Sequence, residues 1–306
     1  MAADTNASLA TNFGIEAYLN MQFFDLLHEV RDLKECATFV PFIPNSGSAT
    51  VKLRFVQPVD TMTAPGEDTS SAIVNLTTAN VTLTIAKYNL KRSIAELAFM
   101  TGEIAFAPLL RSFLKSVVYE RSKLISALST GFTGNTGAGT TLTPLSVDAI
   151  FSAKFALEIA LASGVKHAML KPKAFTEFQS SLRQETLTLL TQKPANQDLL
   201  VAGDLSTPVY DFYGIMIHPH DSVPTSGSDY VGAMVADSAI FLSEAPVSAF
   251  TQGWDINPQA IPGQNALIVQ DVSTSAEGSY TWICKYYPGV AEGIDSAGVK
   301  ITSIVA

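Results

Sequence analysis

Residues 108–128 read PLLRSFLKSVVYERSKLISAL, and their periodicity decides what kind of chain this is. Apolar side chains recur at Leu109, Leu110, Phe113, Leu114, Val117, Val118, Leu124, Ile125 and Leu128, the three-and-four spacing of one helical face. Pro108 suits a first turn, where its missing N–H is not needed, and Gly131 ends the run. The predicted helix spans about 108–129, about six turns. Arg111, Lys115, Glu120, Arg121 and Lys123 fill much of the remaining circumference and read as a solvated face. A shorter helical piece, Ile94 to Phe99, is expected to lead into it.

Upstream, the pattern changes period. Val51, Leu53 and Phe55 alternate with Lys52, Arg54 and Gln57, and Ile73–Ile85 places Val74, Leu76, Val81, Leu83 and Ile85 against Thr and Asn. Two strands are predicted, Thr50–Val56 and Ile73–Ile85, joined by the polar stretch Pro58–Ser71. Two strands alone cannot bury a core, so this ribbon must lie on its own domain or on a neighbouring chain. Before it come a polar arm over residues 1–14, an amphipathic helix from Ile15 to Leu27 and a short strand, Thr38–Ile43, closed by Pro41 and Pro44.

Downstream of the long helix runs a Gly/Thr-rich connector, Ser129–Pro144. Ser146 is placed to cap a helix over Val147–Ala162, whose apolar residues lie on most faces and predict burial. A strand, Val165–Leu170, and a helix opened by Pro172 and carrying Phe175, Phe178 and Leu182 follow. Strands are then expected at Val209–Ile217, Asp229–Val235, Ala266–Asp271, Ser279–Tyr287 and Val299–Ile304. Helices in the middle with strands on both sides make an α+β chain.

Composition narrows the function. The 306 residues are 47% hydrophobic and only 15% charged, against about 25% charged in ordinary soluble domains. Mean hydropathy is +0.23, yet no run approaches the roughly 18 apolar residues of a membrane span. A surface so short of charge suits a chain whose faces are covered by neighbours. The net charge of -9 and the absence of a dense cationic cluster argue against binding nucleic acid through a basic patch. Lys91-Arg92 reads as a loop-to-helix junction. The N-terminal residues lack the cationic start and apolar core of a signal peptide.

Catalytic and metal chemistry find little support. Cys36 and Cys284 have no ligand spacing and read as buried free thiols. His28 ends the first helix in a capping or solvated role, and His167 has no carboxylate near it in sequence. His218-Pro219-His220-Asp221 sets two histidines on one side of a strand end, without a third ligand in the sequence. No G-x-S-x-G elbow exists. Gly134–Thr141 resembles a phosphate loop, but Thr140 takes the lysine position and a helix precedes it where a strand should. No enzyme, cofactor or metal is expected.

The order of these elements resembles the major capsid proteins of tailed bacteriophages, the Hong Kong 97 fold. Leu83–Leu97 is similar to that family's passage from its E-loop into the spine helix. His167-Ala-Met-Leu-Lys-Pro172-Lys-Ala-Phe175 resembles its strand–proline–helix passage in the P-domain. Tyr213–Ile217 through Val223-Pro224, followed by Ala233–Ile240, is similar to its A-domain, and Tyr287–Val290 through Gly298–Ile301 resembles its ending. The resemblance implies an arm and first helix over 1–45, an E-loop hairpin over 46–91 and a P-domain over 92–182 with the spine helix. An A-domain over 183–265 and shared C-terminal strands over 266–306 complete the division.

It further implies a virion shell of homo-pentamers and homo-hexamers, assembled in host cytoplasm and enclosing double-stranded DNA without sequence-specific binding. A portal is an implied partner, with scaffolding and decoration proteins as further ones, and no membrane. Inter-subunit contacts are expected at Thr50, Val51, Leu53, Phe55, Val74, Leu76, Val81 and Leu83 of the ribbon and at Phe13 of the arm. Leu109, Phe113 and Val117 are expected in the core. Lys52 and Lys87 lie at the ribbon's base, so no lysine–asparagine crosslink is expected. Three rivals remain: an encapsulin-type shell around a cargo enzyme, a secreted β-rich adhesin, and a hydrolase using His218 or His220.

Overall fold

The computed structural model describes residues 32–42, 49–56, 78–95, 106–135, 137–140, 143–184, 191–192, 210–227, 229–246, 259–260, 265–271 and 279–304. The predicted arm with Phe13, the helix over 15–27 with His28, the hairpin end over 58–71, Val74 and Leu76 lie outside these residues.

Three helices are described: α1 (Phe106–Ala127), α2 (Val147–Ile159) and α3 (Pro172–Gln184). In α1 every fourth residue from Leu109 through Phe113, Val117, Arg121 and Ile125 is buried, the stripe its periodicity dictates. A 3-10 turn, Leu128–Thr130, tightens its end, where the Gly131 N–H donates to Leu128 O at 2.9 Å. Helix α2 is capped as expected, the Ser146 Oγ accepting from the Ala149 N–H at 3.3 Å.

The largest sheet has seven strands. Its order is β16 (Gly298–Ile304), β10 (Asp229–Val235), β5 (Lys166–Leu170), β8 (Ile215–Pro219), β7 (Tyr210–Phe212) and β6 (Thr191–Gln192), with β9 (Thr225–Ser226) paired to β10. Only β5 and β8 run parallel to each other. A second sheet orders β12 (Gln259–Ala260), β13 (Ala266–Asp271), β14 (Ser279–Tyr286) and β4 (Tyr88–Ala95). A third orders β1 (Thr38–Phe39), β11 (Ile240–Glu244) and β15 (Pro288–Glu292), and β2 (Thr50–Val56) pairs with β3 (Thr78–Thr84) as a ribbon.

Strand alternation divides the interior. Ala168, Leu170, Ile215, Ile217 and Met234 meet α2 and α3 through Ile150, Leu157, Phe175 and Phe178. Their neighbours Met169, Ala233 and Val235 face the other way, onto Leu33, Cys36, Ile125, Ile240 and Leu242. The N-terminal half of α1 joins a third core, packing Leu109, Phe113 and Val117 on Ile268, Cys284 and Tyr286 of the four-stranded sheet. One helix therefore serves two cores.

Several sequence expectations need correction. Ile94 and Ala95 end a strand, β4, rather than begin a helix, and Lys91-Arg92 lies inside that strand. Arg92 breaks the apolar alternation of Tyr88, Leu90 and Ile94, and its guanidinium sits 5.8 Å from the Phe113 ring. The strand predicted over Val209–Ile217 is a hairpin. Tyr213 and Gly214 both take left-handed backbone (φ 50° and 76°), the conformation of a two-residue primed turn. The connector after α1 is pinned to the C-terminal strand and the turn before it: Ala138 bridges Ile301, and Asn135 Nδ2 donates to Ser296 O and Gly298 O. Helix α2 is not covered all round, and Arg121 is not solvated; both bear on function.

Candidate functional site

The ribbon behaves as its alternation requires. Register pairs Val51 with Leu83, Leu53 with Val81 and Phe55 with Ala79, gathering the apolar side chains on one face. Lys52, Arg54, Asn80 and Thr82 project from the opposite face and are exposed. The apolar face rests on the β11–β15 sheet. Phe55 stacks on Phe241 with ring centroids 5.1 Å apart, and the Ala86 N–H donates to Pro288 O at 2.9 Å. Leu83 is fully buried there, within its own chain, whereas Thr50, Val51, Leu53, Phe55 and Val81 are only half-buried.

A second surface escaped the sequence reading. Val147, Ile150, Ala153 and Leu157 of α2 are buried, but Phe151, Phe155 and Ile159 line its outer side, the last two 63% and 66% exposed. Leu161, just past the helix end, is 79% exposed, and the half-exposed Tyr213 lies beside Phe151 with ring centroids 5.5 Å apart. The helix end holds Leu161 in place. The Ala162 N–H donates to Leu157 O and the Leu161 N–H to Glu158 O, a Schellman closure with leucine where glycine is usual. Its φ of 54° is left-handed, a strained conformation for a branched side chain. The spacing at 151, 155 and 159 was visible in sequence; a helix apolar on many faces reads as buried only when every face has a partner.

The interior also holds an ionic cluster. Arg121 is 1% exposed, donating from Nε to Asp32 Oδ1 at 3.1 Å, from Nη2 to Asp32 Oδ2, and from Nη1 to Glu244 Oε1 at 3.1 Å. Tyr286 OH and Asn265 Nδ2 also donate to Glu244. Burial alone would raise the Glu244 carboxyl; Arg121, then the hydrogen bonds from Tyr286 and Asn265, hold it below the usual carboxylate range. Asp32 before β1, α1, β11 and β14 are thereby fastened together. The signal was legible, because Arg121 continues the four-residue series of Leu109, Phe113 and Val117.

The histidines assemble differently from the sequence expectation. The parallel register of β5 and β8 pairs His167 with Met216 and Met169 with His218. Both histidines therefore stand on one sheet face, where Cys36 lies. His167 Nδ1 and His218 Nε2 are 3.0 Å apart, and one ligand atom from each of Cys36, His167 and His218 lies within 4.8 Å of the others. Burial pushes His218 down to about 3, helped by His167 and His220, and it lowers His167 against the pull of Asp237. Burial, with Glu35 and Asp32, pushes the Cys36 thiol up, which leaves it a poor nucleophile. His220 turns away: its Nδ1 accepts from the Ser222 N–H at 2.9 Å, inside a closed turn. Cys284, also a buried free thiol, sits apart in the third core.

No protein-family model and no curated protein matches the sequence. Solved structures do. The capsid of Ralstonia phage GP4 matches with a TM-score of 0.59 at 10% identity, over 90% of this chain and 92% of that one. The head structure of Helicobacter pylori bacteriophage KHP40 matches with a TM-score of 0.58 at 11% identity, over 92% and 90%. The chain has a phage-capsid fold. The holo-SrpI encapsulin complex from Synechococcus elongatus matches with a TM-score of 0.58 at 10% identity, over 89% and 86%. The capsid fold is thus shared by phage heads and an encapsulin, and no described helix is long and apolar enough to cross a membrane.

Proposed function

We propose that the chain is the major capsid protein of a tailed phage, a structural rather than catalytic subunit. Copies of it assemble as pentamers and hexamers into an icosahedral shell around double-stranded DNA. The observation that carries this reading is the match of about nine-tenths of the chain, in both directions, to phage capsids. In this reading residues 1–45 are the arm and first helix, 46–91 the E-loop, 92–182 the P-domain, 183–265 the A-domain and 266–306 the shared strands. Thr50, Val51, Leu53, Phe55 and Val81 carry the ribbon's contacts to a neighbour, with Val74, Leu76 and Phe13 beyond the described residues. The outer stripe of α2 supports the reading independently, since a free-standing monomer gains nothing from exposing Phe155, Ile159 and Leu161 together.

An encapsulin-type shell around a cargo enzyme is the second reading, supported by a TM-score equal to that of the KHP40 head. Electron microscopy of the purified chain, with analysis of what co-purifies from its native source, tests both. Closed particles filled with DNA support the first reading, and particles filled with one protein support the second. Phe155→Asp with Ile159→Asp, or deletion of residues 58–71, is expected to leave the subunit folded and stop shell formation. Intact shells from both variants would refute the roles given to these surfaces.

A further inference from the structure

We propose that Cys36, His167 and His218 form a binding site for a thiophilic metal ion of the zinc type. The site clips the segment entering β1 to the centre of the seven-stranded sheet. Three observations carry it. The three residues come from separate parts of the chain, yet a ligand atom from each lies within 4.8 Å of the others, and the two imidazole nitrogens stand 3.0 Å apart. A tetrahedral zinc ion held at about 2.0–2.1 Å by nitrogen and about 2.3 Å by sulfur sets its ligand atoms roughly 3.3–3.6 Å apart, so small side-chain rotations complete the geometry. One thiolate and two imidazoles are the donors that zinc selects over magnesium or calcium, which take oxygen.

The surroundings are consistent with a structural ion. Cys36 and His218 are buried and His167 half-buried, so the ion would be shielded with one position left for water or a further ligand. Met169, Ala233 and Val235 share this apolar side of the sheet, and Asp237 is the anionic group acting on His167. Binding releases one proton, from the Cys36 thiol to solvent, and leaves both imidazoles neutral with their lone pairs on the ion. Between the two rings one imidazole N–H donates to the other ring nitrogen. Linking residues 36, 167 and 218 closes two long loops, so the ion would restrain the unfolded chain as a crosslink does.

Cobalt(II) is the probe. The full-length, untagged chain, freed of metal with a chelator, is titrated with Co²⁺ and read by absorption. The expected result is one equivalent bound, with a near-ultraviolet thiolate-to-cobalt band and visible bands of tetrahedral intensity. Zinc should displace the cobalt and raise the thermal midpoint of the wild type. Cys36→Ser should lose the band and the zinc-dependent rise, whereas Cys284→Ser should keep both. His167→Ala, at a half-buried position, provides a second variant whose folding is checked by circular dichroism; it should also lose the bound equivalent. A wild-type chain without the thiolate band at saturating cobalt overturns the proposal. So does a band that survives Cys36→Ser.

Discussion

Replacing Arg121 by methionine tests how the buried charges are held. Methionine fills much of the arginine volume but removes the cation facing both Asp32 and Glu244. The side chain of Asp32 is 17% exposed and regains some water, whereas that of Glu244 is 1% exposed and is left buried without its cation, held by Tyr286 and Asn265 alone. Removing one partner of such a pair costs about 3–5 kcal/mol. At about 2 °C per kcal/mol for a chain of this size, the thermal midpoint should drop by roughly 6–10 °C.

The pH dependence gives a sharper readout. In the wild type Glu244 is held low, so its contribution is present above the ordinary carboxylate pKa and is lost as pH falls through its folded value. In the variant the Arg121 attraction is gone while the Tyr286 and Asn265 hydrogen bonds remain, so the Glu244 pKa rises from its wild-type value and the deficit shrinks as pH falls toward about 4. Urea unfolding of dissociated subunits, followed by tryptophan fluorescence at pH 7 and pH 4.5, measures both effects. Arg121→Met with Glu244→Gln should recover much of the loss. A deficit below about 1 kcal/mol, or one unchanged with pH, would refute the assignment of an obligate buried pair.

Three further outcomes are expected. Leu161→Gly should raise subunit stability by about 1 kcal/mol in thermal unfolding, because glycine takes the left-handed C′ position without strain. A destabilised variant would mean that Leu161 packs more than its exposure indicates. In the chain freed of metal, His167 and His218 are held toward the neutral form by burial and become charged on unfolding, so below about pH 6.5 stability should fall with pH, by up to about 1.4 kcal/mol per pH unit for each. His218→Gln should flatten that slope between pH 6.5 and 5 in urea titrations, and an unchanged slope would count against it. Ser243→Ala should be neutral or stabilising by about 1 kcal/mol, since its buried Oγ has no hydrogen-bond partner among the described residues.

Much of the fold lay open in the sequence where a single period ran unbroken. Strands β2, β10 and β13 fall where alternation or an apolar run placed them, and α1 begins two residues early because Phe106 and Ala107 extend the pattern past Pro108. Strands β4, β11 and β15 were missed for physical reasons. Arg92 interrupts the first, the second is buried on both faces and so does not alternate, and the third opens Pro-Gly and exists by pairing with β11. The ribbon's two faces were legible in the same way. The meeting of Cys36 with His167 and His218 was not, because it depends on which strand lies beside β5. No local pattern encodes that adjacency.

The division of α1 between two cores has a mechanical consequence. Its 22 residues form a rod roughly 33 Å long. One part is packed into the four-stranded sheet through Phe113 and Val117, and the other reaches the seven-stranded sheet through Ile125. With both ends clamped, the rod is a lever: a tilt of about 5° at one end displaces the other by about 3 Å. Close-packed cores do not yield by that much without repacking. A push on the four-stranded sheet therefore has two outcomes, to be transmitted whole to the seven-stranded sheet or to bend the rod between its clamps. Arg121, bound to Asp32 and Glu244 just before the second clamp, resists the bend.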